Sequence, residues 1–179
     1  MYAPLAADDE IRLLELGPSS NDELIHCVLR HVRLSEVSHY EAISYCWGDA
    51  NDTVPIECSG SLLMVTRSLH SLLSHIRLDS RHRTIWADAI CINQTDLAER
   101  SAQVRMTGSI YSKVNGVIAW LGEVTPGSDV AMGLIQLFRQ VSSQERGTQA
   151  LPNDLARAWY EVAQLLKRDY FRRVWVRLP

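Results

Sequence analysis

The segment 84–100 constrains the fold of this 179-residue chain more than any other part of the sequence. It begins with apolar residues that predict a buried strand, although Asp88 interrupts the run. The amides Asn93 and Gln94 follow, and the next residues carry the signals of a helix start. A strand that leads directly into a helix is typical of α/β sheets. In an open sheet of that kind, ligands bind beyond the carboxyl ends of the strands, so the sequence predicts a ligand crevice at this junction.

Five other strands are predicted before this junction and one after it. The early segments alternate apolar and polar residues with a period of two, or flank a short glycine-containing loop that is typical of a hairpin. The ranges are 10–16, 24–34, 40–47, 54–58 and 62–65, with a turn at 17–22 and the hairpin loop at 59–61. The later segment, 117–121, is short and apolar, so we expect it to be a buried strand.

Helices are predicted after the hairpin, after the junction and in the C-terminal third. Thr66 is a predicted N-cap, and apolar residues follow it at helical spacing. Thr95 or Asp96 caps a helix to about residue 114, and Asn115 and Gly116 are expected to end it in a left-handed conformation. Two further helices, 128–140 and 154–176, flank a polar loop at 144–153. The order of elements predicts an α/β open sheet with added N-terminal antiparallel strands, a β-hairpin and C-terminal helices.

Composition narrows the class of protein. The net charge is −3 and the isoelectric point is about 6.1, which excludes a general affinity for nucleic acid. The four cysteines are widely spaced and form no zinc-ligand pattern, so we expect no metal and buried free thiols in a reducing compartment. No apolar run reaches the ~20 residues that span a bilayer, and no signal peptide is evident. We therefore expect a cytoplasmic location and a single domain over residues 1–179.

The helix after Gln94 is expected to bring two more polar residues to the crevice. Glu99 and Gln103 lie on the same side as the apolar residues Met106 and Ile110, one and two turns earlier. If that side packs on the sheet, both lie near Asn93 and Gln94, beside a helix N-terminus that can bind a nucleotide or phosphate. The alternative is that Glu99 serves a capping box and Gln103 is solvated.

Asp88 and a second strand end complete the candidate site. A carboxylate within a central strand needs hydrogen-bond partners, so Asp88 takes part in ligand chemistry or fastens a neighbouring loop. The strand over 40–47 runs through Ser44 and Tyr45 and leads into Trp47, Gly48 and Asp49. Trp47 could stack on a base and the glycine could admit a ligand, or the segment is a turn with a core tryptophan.

Several kinds of enzyme are disfavoured. The chain has no Walker A loop, no G-x-G-x-x-G motif and no nucleophile elbow around Ser44. Cys46 and Cys91 have no histidine at a spacing that would identify a catalytic pair.

The two motifs at 40–49 and 85–94, with Asp96, Glu99, Gln103 and the segment 117–122, resemble the fungal heterokaryon incompatibility (HET) domain. The resemblance extends from about residue 2 to residue 176. It implies an intracellular fungal module of self/non-self recognition that triggers cell death, with protein partners and a candidate homo-oligomer. HET domains are distantly similar to Toll/interleukin-1 receptor (TIR) domains, which have a flavodoxin-like fold, self-assemble and in some cases cleave NAD with a glutamate. The resemblance thus makes NAD a candidate substrate and no cofactor certain.

One departure from the family pattern bears on catalysis. HET domains usually continue the segment 173–176 with a glutamine and a glutamate, and this glutamate resembles the catalytic residue of TIR domains. Here the chain reads Arg177-Leu178-Pro179 instead. We therefore expect a domain truncated at its C-terminal end that acts as a signalling and assembly module. The alternative is an NAD glycohydrolase, inactive in this chain unless Glu99 or Asp88 supplies the carboxylate.

Overall fold

A computed structural model describes residues 2–19, 24–142 and 154–172. Its strands are β1 (Glu10–Leu16), β2 (His26–Arg33), β3 (Glu41–Ser44), β4 (Thr53–Cys58), β5 (Ser61–Thr66), β6 (Arg83–Trp86) and β7 (Gly116–Ala119). Its helices are α1 (Arg67–Ile76), α2 (Asp88–Cys91), α3 (Leu97–Ser112), α4 (Ser128–Ser142) and α5 (Leu155–Leu166), followed by a 3-10 turn at Asp169–Arg172. No helix within these residues combines the length and apolarity that a membrane crossing requires.

The strands form one seven-stranded mixed sheet in the order β5-β4-β2-β1-β6-β3-β7. The strands β6, β3 and β7 run parallel to one another, whereas β1 pairs antiparallel with β2 and with β6. The β4–β5 hairpin joins the sheet through a parallel pairing of β4 with β2. This arrangement confirms the predicted α/β open sheet with N-terminal antiparallel strands and a hairpin.

Local signals account for the elements that were predicted most closely. The hairpin turns at Ser59 and Gly60, both with positive φ (51° and 78°), as a two-residue loop between twisted strands requires. Thr66 caps α1 by accepting from the Leu69 amide. The predicted apolar face of α1 is buried, namely Leu69, Leu72, Leu73 and Ile76.

The strand at the junction is shorter than predicted, so the placement of Asp88 within a strand was wrong. β6 ends at Trp86, and Asp88 begins the four-residue helix α2. The Asp88 carboxylate accepts from the Ala89 amide at 2.8 Å, which favours a helical turn at this point. Ile90 and Cys91 are buried by that turn, so their apolar character indicated burial without indicating a strand.

Three other expectations need correction. α3 ends at Ser112, and neither Asn115 nor Gly116 has positive φ, because Asn115 pairs with Tyr40 at the start of β7. β7 is an edge strand with Val117 half exposed, so it is not buried. The last helix is shorter than 154–176, since α5 ends at Leu166. The predicted loop at 144–153 and residues 173–179 lie outside the described part of the chain.

Contacts divide the chain into two compact units, Met1–Trp120 and Leu121–Pro179. The first contains the sheet and α1 to α3 around one core, with α1 on β4 and β5 and α2 on β1. In the second, α4 packs on α5 around a small apolar cluster, namely Ala131, Leu134, Leu137, Ala158, Val162 and Leu165. The expectation of a single domain over 1–179 stays a prediction.

Candidate functional site

The crevice predicted at the strand ends is formed by two neighbouring parallel strands. Because β3 and β6 are adjacent and parallel, the segments that follow them leave the same end of the sheet. The indole Nε1 of Trp47 donates to both carboxylate oxygens of Asp88, each at 3.3 Å. Trp47 is 42% exposed, which excludes the alternative of a core tryptophan. The structure thus brings together two site residues that are 41 positions apart in the sequence.

Gly48 and Asp49 shape the chain beside Trp47. Gly48 has φ +77°, and an added Cβ would lie 3.3 Å from Cβ of Ser68, so the position favours glycine. Ser68 itself donates to the Cys46 carbonyl at 2.6 Å. Asp49 accepts from the Asn51 amide at 2.9 Å, which closes a turn. These contacts explain the Trp-Gly-Asp run as the turn that presents the indole ring to solvent.

Ser44 and Tyr45 belong to the sheet and the core. The Ser44 carbonyl accepts from the Trp120 amide at 2.8 Å, which extends the pairing of β3 with β7. The Tyr45 side chain is buried in the core cluster. Their role in ligand binding stays a prediction, and their surroundings give each of them a structural role.

Asn93 and Gln94 fasten the loop between α2 and α3. Gln94 Nε2 donates to the Asp88 carbonyl at 2.8 Å, so this amide lies next to the Trp47–Asp88 contact. Asn93 Oδ1 accepts from the Thr95 hydroxyl at 2.8 Å and from the Thr95 amide at 3.2 Å. Of these two amides, Gln94 contacts the crevice residue Asp88, whereas the side-chain oxygen of Asn93 contacts Thr95.

Glu99 is held by a buried ion pair with Arg12. Its Oε1 and Oε2 accept from Nη1 and Nη2 of Arg12 at 2.6 and 3.0 Å, in a bidentate arrangement. The side chains are 9% and 1% exposed, respectively. Glu99 Oε1 also accepts from the Asn93 amide at 2.7 Å. The Arg12 guanidinium holds the pKa of Glu99 below its ordinary value.

The guanidinium of Arg12 also contacts four further residues. It donates to the carbonyls of Cys91 and Ala3 at 3.2 and 2.6 Å, and its Nε lies 3.3 Å from His31 Nε2. The Tyr2 ring lies 5.1 Å from its Cζ. Sequence reasoning did not identify Arg12. The sequence signal that could have identified it is an arginine placed among the apolar residues Ile11, Leu13 and Leu14, which are all buried in β1.

Gln103 is directed toward β1 and not toward the predicted crevice. It is buried, and its Nε2 donates to the Glu10 carbonyl at 2.9 Å. Its Oε1 has no hydrogen-bond partner among the described residues. Burial of Gln103 and Ile110 confirms that this side of α3 packs inward. The Gln103 amide contacts Glu10 and Met106, and none of its hydrogen bonds among the described residues reaches Asn93 or Gln94.

A cavity of about 600 Å³ lies between the segment 4–8 and α3. Glu99 and Gln103 line it, whereas Trp47 and Asp88 do not. The candidate residues therefore fall into two groups, one around Trp47 and Asp88 and the other around Arg12 and Glu99. Within the part of the chain that the structure describes, no three His, Cys, Asp or Glu side chains could hold a metal ion together.

Comparison with known proteins identifies the family. The model of the family described as heterokaryon incompatibility protein (HET) matches residues 40–177. Heterokaryon incompatibility protein 6, OR allele, of Neurospora crassa is 37% identical over 149 residues, which cover 73% of this chain and 22% of that protein. The chain thus spans about a fifth of that relative's length. No solved structure matches the chain, so the similarity to TIR domains stays a prediction. Because the family model matches well over half of its residues, this chain belongs to the heterokaryon incompatibility family.

Proposed function

We propose that this chain is a signalling module of fungal self/non-self recognition that triggers incompatibility cell death by assembling with other protein chains. The observation that carries the proposal is the family match over residues 40–177. The similarity to a Neurospora crassa incompatibility protein supports it. Because the resemblance is to an intracellular fungal module, we expect this chain to act in the cytoplasm.

The contacts of Glu99 favour assembly over catalysis. Both of its carboxylate oxygens accept from Arg12, and one of them also accepts from the Asn93 amide. To act as a nucleophile or base, Glu99 would have to leave a guanidinium that is buried and contacts no other carboxylate among the described residues. Separating such a pair is costly, because the charge of Arg12 would stay buried without a counter-ion.

The edge strand β5 supplies a surface for a second copy of this chain. It lies at the end of the sheet, contains no charged residue, and exposes 71% of Leu62 and 55% of Met64. Natural edge strands are usually protected by charges or prolines, since an open edge pairs readily with another strand. Two β5 strands could pair antiparallel without any repulsion between like charges within the strand.

The test compares Leu62→Asp with the matched control Leu97→Asp. Leu97 is 65% exposed, lies in the first turn of α3 and tolerates an acidic residue there. We expect the wild type and Leu97→Asp to self-associate in light scattering and to kill hyphae when expressed in a filamentous fungus, whereas Leu62→Asp stays monomeric and harmless. Equal assembly and toxicity of all three chains would contradict the role of β5, and a harmless wild type would contradict the proposed function.

An NAD glycohydrolase is the second candidate, and the contact of Trp47 with Asp88 favours it. An exposed indole can stack on the nicotinamide ring, and a neighbouring carboxylate can stabilise the ribosyl cation as nicotinamide leaves and water adds. Incubation with NAD, followed by measurement of nicotinamide, tests this candidate. Release that Asp88→Asn abolishes and Asp49→Asn retains would support it, and no release from the wild type at high protein concentration would exclude it.

A further inference from the structure

Two buried thiols lie opposite each other where β2 pairs with β4. Cys27 and Cys58 are register partners in this parallel pairing, and they are 4% and 0% exposed. Opposed residues of neighbouring strands have Cα atoms about 4.7–4.9 Å apart, and their side chains point to the same face. A disulfide accommodates Cα separations of roughly 4.4–6.8 Å. We propose that Cys27 and Cys58 form a reversible disulfide, which fastens the β4–β5 hairpin to the rest of the sheet.

Backbone contacts already hold the two cysteines in place. The Glu57 amide donates to the Ile25 carbonyl at 2.8 Å, and the Ser59 amide donates to the Cys27 carbonyl at 2.9 Å, so the register is fixed on both sides of Cys58. The Cys27 thiol itself donates across the gap to the Glu57 carbonyl at 3.3 Å. Bond formation therefore needs rotation of side chains and no change of register.

The two sulfurs have different chemical roles. The Cys27 thiol keeps its proton in the hydrogen bond to the Glu57 carbonyl, and the neighbouring Cys58 together with burial raises the pKa of Cys27, whereas the neighbouring Cys27 side chain lowers the pKa of Cys58. The thiolate is the reactive form of a cysteine, so Cys58 is the attacking sulfur and Cys27 the resolving one.

A hydroperoxide is the oxidant, and hydrogen peroxide is the smallest of this class. The Cys58 thiolate attacks one peroxide oxygen, so that an S–O bond forms, the O–O bond breaks and the released hydroxide takes a proton to become water. The Cys27 sulfur then attacks the Cys58 sulfur, the S–S bond forms, and a second water leaves with the oxygen and the Cys27 proton. The two thiols lose two electrons in total, and the peroxide gains them.

The position of the pair in the sheet gives the oxidant a route to it. The β2–β4 pairing has two register pairs, and β4 is separated from the edge of the sheet by β5 alone. Such a short pairing near an edge opens locally at a lower free energy than the centre of a sheet. The disulfide would stabilise this pairing against local opening, because it adds a covalent link to a ladder of two register pairs.

Cys91 is the other buried cysteine that could compete with Cys27 for a disulfide with Cys58. It is buried, and burial raises its pKa to about 12, so it stays a thiol. Its Sγ accepts from the Ala87 amide at 3.4 Å, and its carbonyl accepts from Arg12, which together hold it in α2. Cys91 therefore lies outside the β2–β4 pairing that places Cys27 opposite Cys58.

The experiment oxidises the full chain with hydrogen peroxide, blocks the remaining thiols with N-ethylmaleimide under denaturing conditions, and maps linked peptides by mass spectrometry. We expect one Cys27–Cys58 link, two blocked thiols at Cys46 and Cys91, and reversal by dithiothreitol. The link should raise the Tm on the order of 10 °C. Cys46→Ser is the control that keeps the link.

Cys27→Ser provides a second readout, because the resolving thiol is absent. We expect no link and a sulfenic acid at Cys58 that dimedone traps. A Cys58–Cys91 link, or four blocked thiols in the peroxide-treated wild type, would overturn the proposal. The mapping of the wild type decides the matter even if the serine variant does not fold.

Discussion

Replacing Glu99 by glutamine is expected to destabilise the fold strongly, because Arg12 would keep its charge in a buried position without a counter-ion. Removing one partner of a buried ion pair costs about 3–5 kcal/mol. Arg12 retains two carbonyl acceptors, on Cys91 and Ala3, so we expect the lower end of that range, about 3 kcal/mol. For a chain of this length, such a loss lowers the Tm by roughly 6–12 °C.

The matched control is Asp52→Asn, which removes a carboxylate from an arginine pair at the surface. Arg67 Nε lies 2.9 Å from Asp52, and the side chains are 65% and 48% exposed. Pairs of this kind contribute about 0–1 kcal/mol. Urea denaturation followed by circular dichroism measures both variants against the wild type. If Glu99→Gln lost no more stability than Asp52→Asn, the structural role of the Arg12–Glu99 pair would be refuted.

Two further predictions concern pH and backbone conformation. Because the folded-state pKa of Glu99 lies below its ordinary value, its contribution is complete above the unfolded-state pKa and is lost as the pH falls through the folded-state pKa. Urea midpoints should therefore fall in acid more steeply for the wild type than for Glu99→Gln, and parallel curves would contradict this. Gly48→Ala should lower the free energy of unfolding by about 1–2 kcal/mol, since position 48 has positive φ and an added Cβ would lie 3.3 Å from Cβ of Ser68. A Cβ added at Gly108 within α3 has no atom within 4 Å, so Gly108→Ala should raise the free energy of unfolding by about 0.5–1 kcal/mol. Equal effects of the two substitutions on the urea midpoint would contradict this prediction.

The elements that the sequence predicted closely are those that depend on neighbours in the chain. β1, the hairpin and α1 follow from alternation, a Gly-containing turn and the Thr66 cap, and each of these signals lies within the element itself. The junction at Asp88 was misread because a buried helical turn and a buried strand both need apolar residues. Periodicity over such a short segment cannot separate the two.

The candidate site divides in the same way. The meeting of Trp47 and Asp88 followed from the rule that strand ends of a parallel sheet share one edge, once β3 and β6 were neighbours. The Arg12–Glu99 pair spans 87 positions, and the register of Cys27 with Cys58 depends on a parallel pairing between distant strands. The apolar neighbours of Arg12 indicate that it is buried, but no local signal identifies the partner in either contact, so a structure was needed to find them.

We propose that this HET domain signals by assembly and not by chemistry at Asp88. The most direct test is the survival of fungal hyphae after induced expression of the wild type and of Asp88→Asn, with equal protein levels and Tm values as controls. The asparagine keeps an oxygen that can accept from Trp47 and removes the charge that catalysis would need. We predict equal killing by both chains. Survival of hyphae that express a folded Asp88→Asn chain, beside death with the wild type, would contradict it.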